Sequence, residues 1–343
     1  MNRRAGNHRC VFCCGFLLRR NTNMLNYDEF KERVINEFLD YLPSKYKDCE
    51  IKVHEVPKVN KVLTGIVIVP KKKNKKSMIM PTFYMERLYE QYLETGNFES
   101  MMQRQAVYLE QSAKFLPKEL CGTNLEDYQD RIVFQLVNTM ENLVLLAKCP
   151  HRNFEDLSVI YRAITNYNDS GVSGFLLTND VAESLNWTEE FLYEKAIKNT
   201  RRLFPFVNMR IEEMMMKIMG QGCSKENMSR LFPEYDKMTS EECVYVITNK
   251  SQFFGSAALL YPEVIGRVAD KIGTDCYVLP SSLHEIIVLS ANAYSDKNKL
   301  AGIVCGTNEK HLRDEEKLSD SLYFFDIKSR NIRRIKTDDA VAS

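Results

Sequence analysis

Apolar residues in this chain switch period often and in no regular order, and that pattern limits the folds open to it. Phe30, Val34, Phe38 and Leu42 recur at four-residue spacing, which predicts an amphipathic helix over 27–42, ended by Pro43. Glu50-Ile51-Lys52-Val53-His54-Glu55-Val56 then alternates like a half-buried strand, a more apolar strand follows over 62–69, and Pro57 to Lys61 supply the turn between them. Such irregular mixing does not fit a doubly wound parallel sheet. It predicts an α+β fold, with mixed, largely antiparallel sheets and packed amphipathic helices.

The rest of the chain reads in the same way. A helical hairpin is expected over 82–95 and 98–114, with Gly96 as the stop and Asn97 as a cap. A strand is predicted at 131–137, and Asn138 and Thr139 are placed to cap a short helix through Leu146. Cys149-Pro150-His151-Arg152 reads as a break, followed by strands at 157–165 and 174–177. Thr188 is a good N-cap, and Trp187 and Leu192 stand at the two positions of a hydrophobic staple. Ile211, Met214, Met215, Ile218 and Met219 form a helical stripe that reads as an ordinary core or subunit face. Strands are expected at 244–248, 275–279 and 285–289, a helix from Pro262 through Ile272 ended by Gly273, a polar helix at 296–307, and a closing hairpin over 322–335.

Residues 1–23 look foreign to the rest and are expected to be a disordered or spurious extension. Their apolar stretch is short, it is closed by Arg19-Arg20, and no small-residue cleavage site follows it. Residues 24–115 are expected to form an N-terminal unit of helix, β-hairpin and helical hairpin. Residues 129–336 form the main α+β region and 337–343 a tail, with one compact unit over 24–336 as the alternative.

Balanced charge, 47 basic against 46 acidic residues, gives no global case for nucleic acid or an anionic membrane. No apolar run approaches membrane-spanning length, and the cysteines beyond residue 14 are scattered singly, as small buried hydrophobes are in a reducing compartment. One charge run stands out: Lys71, Lys72, Lys73, Lys75 and Lys76. These lysines are the candidate nucleic-acid contacts, but no aromatic or arginine interleaves with them, so a solvated loop is favoured.

Phosphate-binding loops, dinucleotide fingerprints, nucleophile elbows and paired C-x-x-C motifs are absent, so no cofactor and no metal is expected. What remains is histidine beside carboxylate: His54 with Glu55, His151 with Glu155 and Asp156, and His284 with Glu285. His151 and His284 each follow a proline-marked break and enter an apolar strand. If those strands were neighbours, His284, His151, Asp156 and Glu285 could gather at one sheet end for proton transfer or metal binding. Against this, adjacent strand residues face opposite sides, which parts His284 from Glu285. A histidine at a strand start also often only bonds a turn carbonyl.

Several strings carry a resemblance. They include Ile132-Val133-Phe134-Gln135-Leu136-Val137-Asn138-Thr139, Pro150-His151-Arg152-Asn153-Phe154-Glu155-Asp156-Leu157, Leu177-Thr178-Asn179 and Leu203-Phe204-Pro205. Others are Ala257-Ala258-Leu259-Leu260-Tyr261-Pro262, Leu279-Pro280-Ser281-Ser282-Leu283-His284-Glu285 and Leu318-Ser319-Asp320-Ser321. Together they resemble the bacterial family Domain of Unknown Function 5688, through most of the chain after Met24. The resemblance implies a cytoplasmic bacterial protein of accessory kind and transfers no catalytic residues. The leading expectation is therefore an accessory or interaction protein without catalysis, bound to a protein partner and not to a membrane. The alternative is a hydrolase or metal-dependent enzyme using His151 and His284 with nearby carboxylates.

Overall fold

A computed structural model describes residues 24–71, 82–115, 125–168 and 171–335; the expected extension, Lys72–Lys76 and the tail lie outside them. The protein is α+β, and its strands pair antiparallel throughout the described residues. The chain divides into two compact units. Described residues up to His54 and from Thr64 to Phe115 form the first; residues 55–63 and 125–335 form the second.

In the first unit the helix Tyr27–Glu37 opens with a capping box. Asn26 Oδ1 accepts from Glu29 N at 3.0 Å, and Glu29 Oε2 accepts from Asn26 N at 2.9 Å. The helix expected to reach residue 42 tightens into a 3-10 turn over Phe38–Tyr41. Strands β1 (Cys49–Lys58), β2 (Lys61–Pro70) and β3 (Phe83–Tyr84) form a sheet, and the helices Met85–Thr95 and Phe98–Phe115 follow, parted by Gly96 in a left-handed conformation. Phe30, Val34, Phe38, Leu88 and Tyr92 share the core of this unit. The outer part of the β1–β2 hairpin, residues 55–63, belongs to the second unit.

The second unit holds two sheets. The first has β4 (Ile132–Asn138), β5 (His151–Phe154), β6 (Leu157–Asn168) and β7 (Gly171–Leu176). β6 pairs with β4 along one edge, and its other edge is shared end to end by β5 and β7. The second sheet has the order β13-β12-β10-β11-β9-β8, built from β8 (Phe206–Arg210), β9 (Tyr245–Asn249), β10 (Cys276–Leu279), β11 (Ile286–Ser290), β12 (Tyr323–Asp326) and β13 (Asn331–Arg334). The helix Pro262–Ile272 buries Val264, Ile265, Val268, Ala269 and Ile272 in the large core with Ile286 and Val288 of β11. Trp187 and Leu192 lie in the same core at the start of the Glu189–Leu203 helix, where Thr188 caps Phe191 N at 3.2 Å.

Three further features differ from the sequence expectation. Residues 151–154 form a strand rather than a break; the strand is short and its exposure alternates, so it leaves no apolar run. β8 went unread because all its residues are only half-buried. The methionine stripe turns outward: Met215, Ile218 and Met219 are exposed, and the helix Ile211–Ile218 buries Met216 and Glu212 instead. Polar anchors set that rotation. Arg210 pairs with Glu212 at 3.3 Å, and the Tyr235 hydroxyl donates to Glu213 at 2.7 Å.

Candidate functional site

β5 and β6 join through a two-residue turn in which Glu155 is left-handed (φ 57°), which brings Asp156 to the end of the sheet. There Asp156 Oδ2 accepts from the hydroxyls of Ser319 at 2.7 Å and Ser321 at 2.8 Å, and Oδ1 accepts from the Tyr323 hydroxyl. Tyr323 is buried in β12, and its ring stacks on Phe154 at 6.3 Å. Burial alone would push the Asp156 carboxyl up. The Tyr323, Ser319 and Ser321 hydroxyls outweigh it, with Arg334 adding, and hold the group below the usual carboxylate range.

The segment carrying these serines is stitched on its other side to the loop between β10 and β11. Ser319 N donates to Pro280 O at 3.1 Å, Leu318 N to Ser281 O at 2.9 Å, and Leu283 N to Glu316 O at 2.9 Å. The loop is pinned in turn by Thr248 Oγ1 on His284 O at 2.7 Å and Ser256 Oγ on Leu283 O at 2.8 Å. His284 meets Phe253 edge to face at 5.9 Å, and among the described residues its buried Nδ1 has no hydrogen-bond partner. Burial lowers its pKa against the pull of Glu316, with Arg313 adding to the fall. Glu285 moves the other way: burial raises its pKa, opposed by the Ser282 hydroxyl and assisted by Glu316.

A third set of contacts closes the assembly. Asn138, at the end of β4, donates Nδ2 to Leu318 O at 3.1 Å and accepts Met140 N and Glu141 N on Oδ1 at 3.0 and 3.2 Å. Asn60, in the β1–β2 turn, donates Nδ2 to the carbonyls of Asp314 and Lys317, both at 2.7 Å. Between these groups lies a cavity of about 460 Å³, lined by Asn60, Asn138, Glu141, Asp314, Lys317 and residues 318–320.

The predicted residues therefore separate. Asp156 and the His284–Glu285 loop both attach to residues 316–323 but by different groups, Asp156 through the Ser319, Ser321 and Tyr323 hydroxyls and the loop through backbone bonds to Glu316, Leu318 and Ser319. His151 stands apart: β6 and β11 lie in different sheets, and exposed His151 bonds Cys149 O through Nδ1 at 3.0 Å. Its neighbour Arg152 pairs with Glu189 at 2.5 Å. Lys71 is exposed, its backbone N donating to Asp48 O at 2.8 Å, while Lys72, Lys73, Lys75 and Lys76 fall outside the described residues. Among the described residues, no three His, Cys, Asp or Glu side chains are grouped as a metal ion would need, and no helix is long and apolar enough to cross a membrane.

Sequence reasoning missed Asn60, Asn138 as a cavity residue, Ser319, Ser321 and Tyr323. The Leu318–Ser321 string marked Ser319 and Ser321 without a role, and Asn138 was read only as a helix cap.

Four of the strings quoted above thus meet at one polar clamp between two antiparallel sheets, which defines an α+β protein organised around internal hydroxyl–carboxylate and amide contacts. The chain belongs to the family of unknown function DUF5688, whose model matches residues 27–327. Neither a curated protein nor a solved structure matches it.

Proposed function

We propose that the chain is an accessory or interaction protein of the bacterial cytoplasm that acts without catalysis. One observation carries this: the carboxylate at the centre of the clamp accepts three internal hydroxyls, which leaves it ionised and occupied rather than poised to take or give a proton. His151, the expected partner of His284, is engaged with its own turn. The free cysteines support a reducing compartment, since burial pushes the Cys149 and Cys276 thiols up to about 11 and about 12 and leaves them as inert hydrophobes.

The second reading is a hydrolase or metal-dependent enzyme built on His284, favoured by its unpartnered Nδ1. Turnover of p-nitrophenyl acetate and p-nitrophenyl phosphate, with and without Zn²⁺, Mg²⁺ or Mn²⁺, separates the two. The accessory reading expects no turnover that His284→Ala removes. Turnover abolished by that substitution in a protein of unchanged melting temperature establishes the enzyme instead.

A further inference from the structure

We propose that the short helix over residues 140–146 and the acid-lined cavity beside it form a docking surface for a protein segment that presents apolar side chains next to a lysine or arginine; this rests on the accessory reading and names the chemistry of the partner. Met140, Leu143 and Val144 are 71%, 54% and 49% exposed. Their spacing of three and four residues sets them on one side of the turn. Folding does not require that side. Leu145 and Leu146 already anchor the helix in a small core with Val137, Cys149 and Ile160. Single exposed apolar residues are ordinary, whereas three neighbours on one helical face make a patch that burial against a partner would stabilise.

Charge selects the partner. Glu141 follows Met140 directly and lines the cavity with Asp314 and Asp320, against a single lysine. That lysine, Lys317, is paired with Asp314 at 2.8 Å. Asp320 takes a neutral amide donor from Asn308 at 2.6 Å, and among the described residues the exposed Glu141 carboxylate has no ion-pair partner. A cationic side chain entering here meets a net negative lining, and about 460 Å³ is ample for a long one.

The patch and the cavity are also held in fixed relation. The Asn138 side chain caps Met140 and Glu141 with its oxygen and holds Leu318 O in the cavity wall with its nitrogen. A surface already ordered before binding loses less freedom when a partner arrives.

The test uses the full chain and three fluorescein-labelled helical 14-residue peptides, one of leucine and lysine, one of leucine and glutamate, and one of serine and lysine, read by fluorescence anisotropy. Only the leucine–lysine peptide is expected to bind. Glu141→Lys and the pair Leu143→Ser with Val144→Ser are each expected to weaken it about tenfold or more. All of these positions are exposed, and unchanged melting temperatures confirm that the variants fold. Absence of binding, or equal binding by wild type and both variants, overturns the docking surface and leaves the accessory reading standing. Turnover lost in His284→Ala, by contrast, overturns the accessory reading.

Discussion

The Ser319 hydroxyl donates to Asp156 Oδ2 at 2.7 Å across 163 positions of the chain. Asp156 sits in the turn of one sheet, and Ser319 leads through Ser321 into β12 of the other, so a single carboxylate ties the two sheets of the second unit together. Removing a carboxylate from water is costly. Three hydroxyl donors to the ionised group offset that cost, because hydrogen bonds to charge are roughly twice as strong as neutral ones.

Asp156→Ala leaves the hydroxyls of buried Tyr323 and Ser319, and of half-buried Ser321, without their acceptor. The expected loss is about 3 kcal/mol, seen as a lower urea midpoint at unchanged slope. Asp156→Asn is expected to lose less, since the amide keeps one acceptor. A loss below about 0.5 kcal/mol for the alanine variant would mean that the hydroxyls find other partners at little cost.

Acid should weaken the fold in two steps. His284 has a folded pKa below its ordinary 6.5, so the fold favours the neutral ring; its contribution is complete above pH 6.5 and is lost as pH falls toward the folded value. Asp156 is likewise depressed, and its contribution is present above its ordinary 3.8 and disappears as pH falls through the folded pKa. Glu285, raised by burial, opposes them, because its ionisation costs the fold stability as pH rises past 4.5. Melting curves of wild type and His284→Asn should therefore converge in slope above pH 6.5 and diverge below it, the variant falling less steeply. Parallel curves from pH 7 to 5 would remove His284 from the account.

Much of the fold was legible because periodicity reports the burial of one element at a time. The helix ended by Gly273, the strands on either side of the 280–285 loop and the closing hairpin all follow from residues within a few positions of each other. The clamp was not legible for the opposite reason. Asn60 reaches Asp314 across 254 positions and Asp156 reaches Tyr323 across 167, and nothing local to either marks the partner. In the His151 turn the Asp156 carboxylate makes the long-range contacts, while His151 bonds Cys149 O two residues away. The methionine stripe shows the limit of periodicity: the spacing defines a face, but whether that face turns inward depends on distant anchors such as Tyr235.

Gly255 lies under the His284 loop, where a Cβ would collide with the His284 carbonyl oxygen and press on Thr248 Oγ1 at 2.7 Å. Both belong to the hydrogen bond that pins the loop, so neither can retreat without breaking it. Gly255→Ala is expected to cost about 2 kcal/mol or more and to lower the melting temperature by several degrees. An alanine variant as stable as wild type would show that the loop can lift, and the close approach would then say nothing about how His284 is held.

Asn142 tests the clamp at its far end. It is almost fully buried; its Nδ2 donates to Asn60 Oδ1 at 2.7 Å and to Asn138 O at 2.8 Å, while its Oδ1 accepts from Asn60 N at 2.7 Å. Asn60 is left-handed (φ 59°), a conformation that asparagine tolerates better than most residues, and its reciprocal pair with Asn142 holds the hairpin tip in place within the second unit. Asn142→Ala removes the partner of two Asn60 groups at once, and about 2 kcal/mol should be lost. That loss should be local. Amide hydrogen exchange over residues 55–63 should accelerate while β10 and β11 keep their protection, because the 280–285 loop is pinned by Thr248, Ser256 and residues 316–319 without Asn142. Unchanged exchange at residues 59–61 would show that Asn60 is held by the Asp314 and Lys317 carbonyls alone, and acceleration in β10 and β11 would show that the tip and the His284 loop open as one unit.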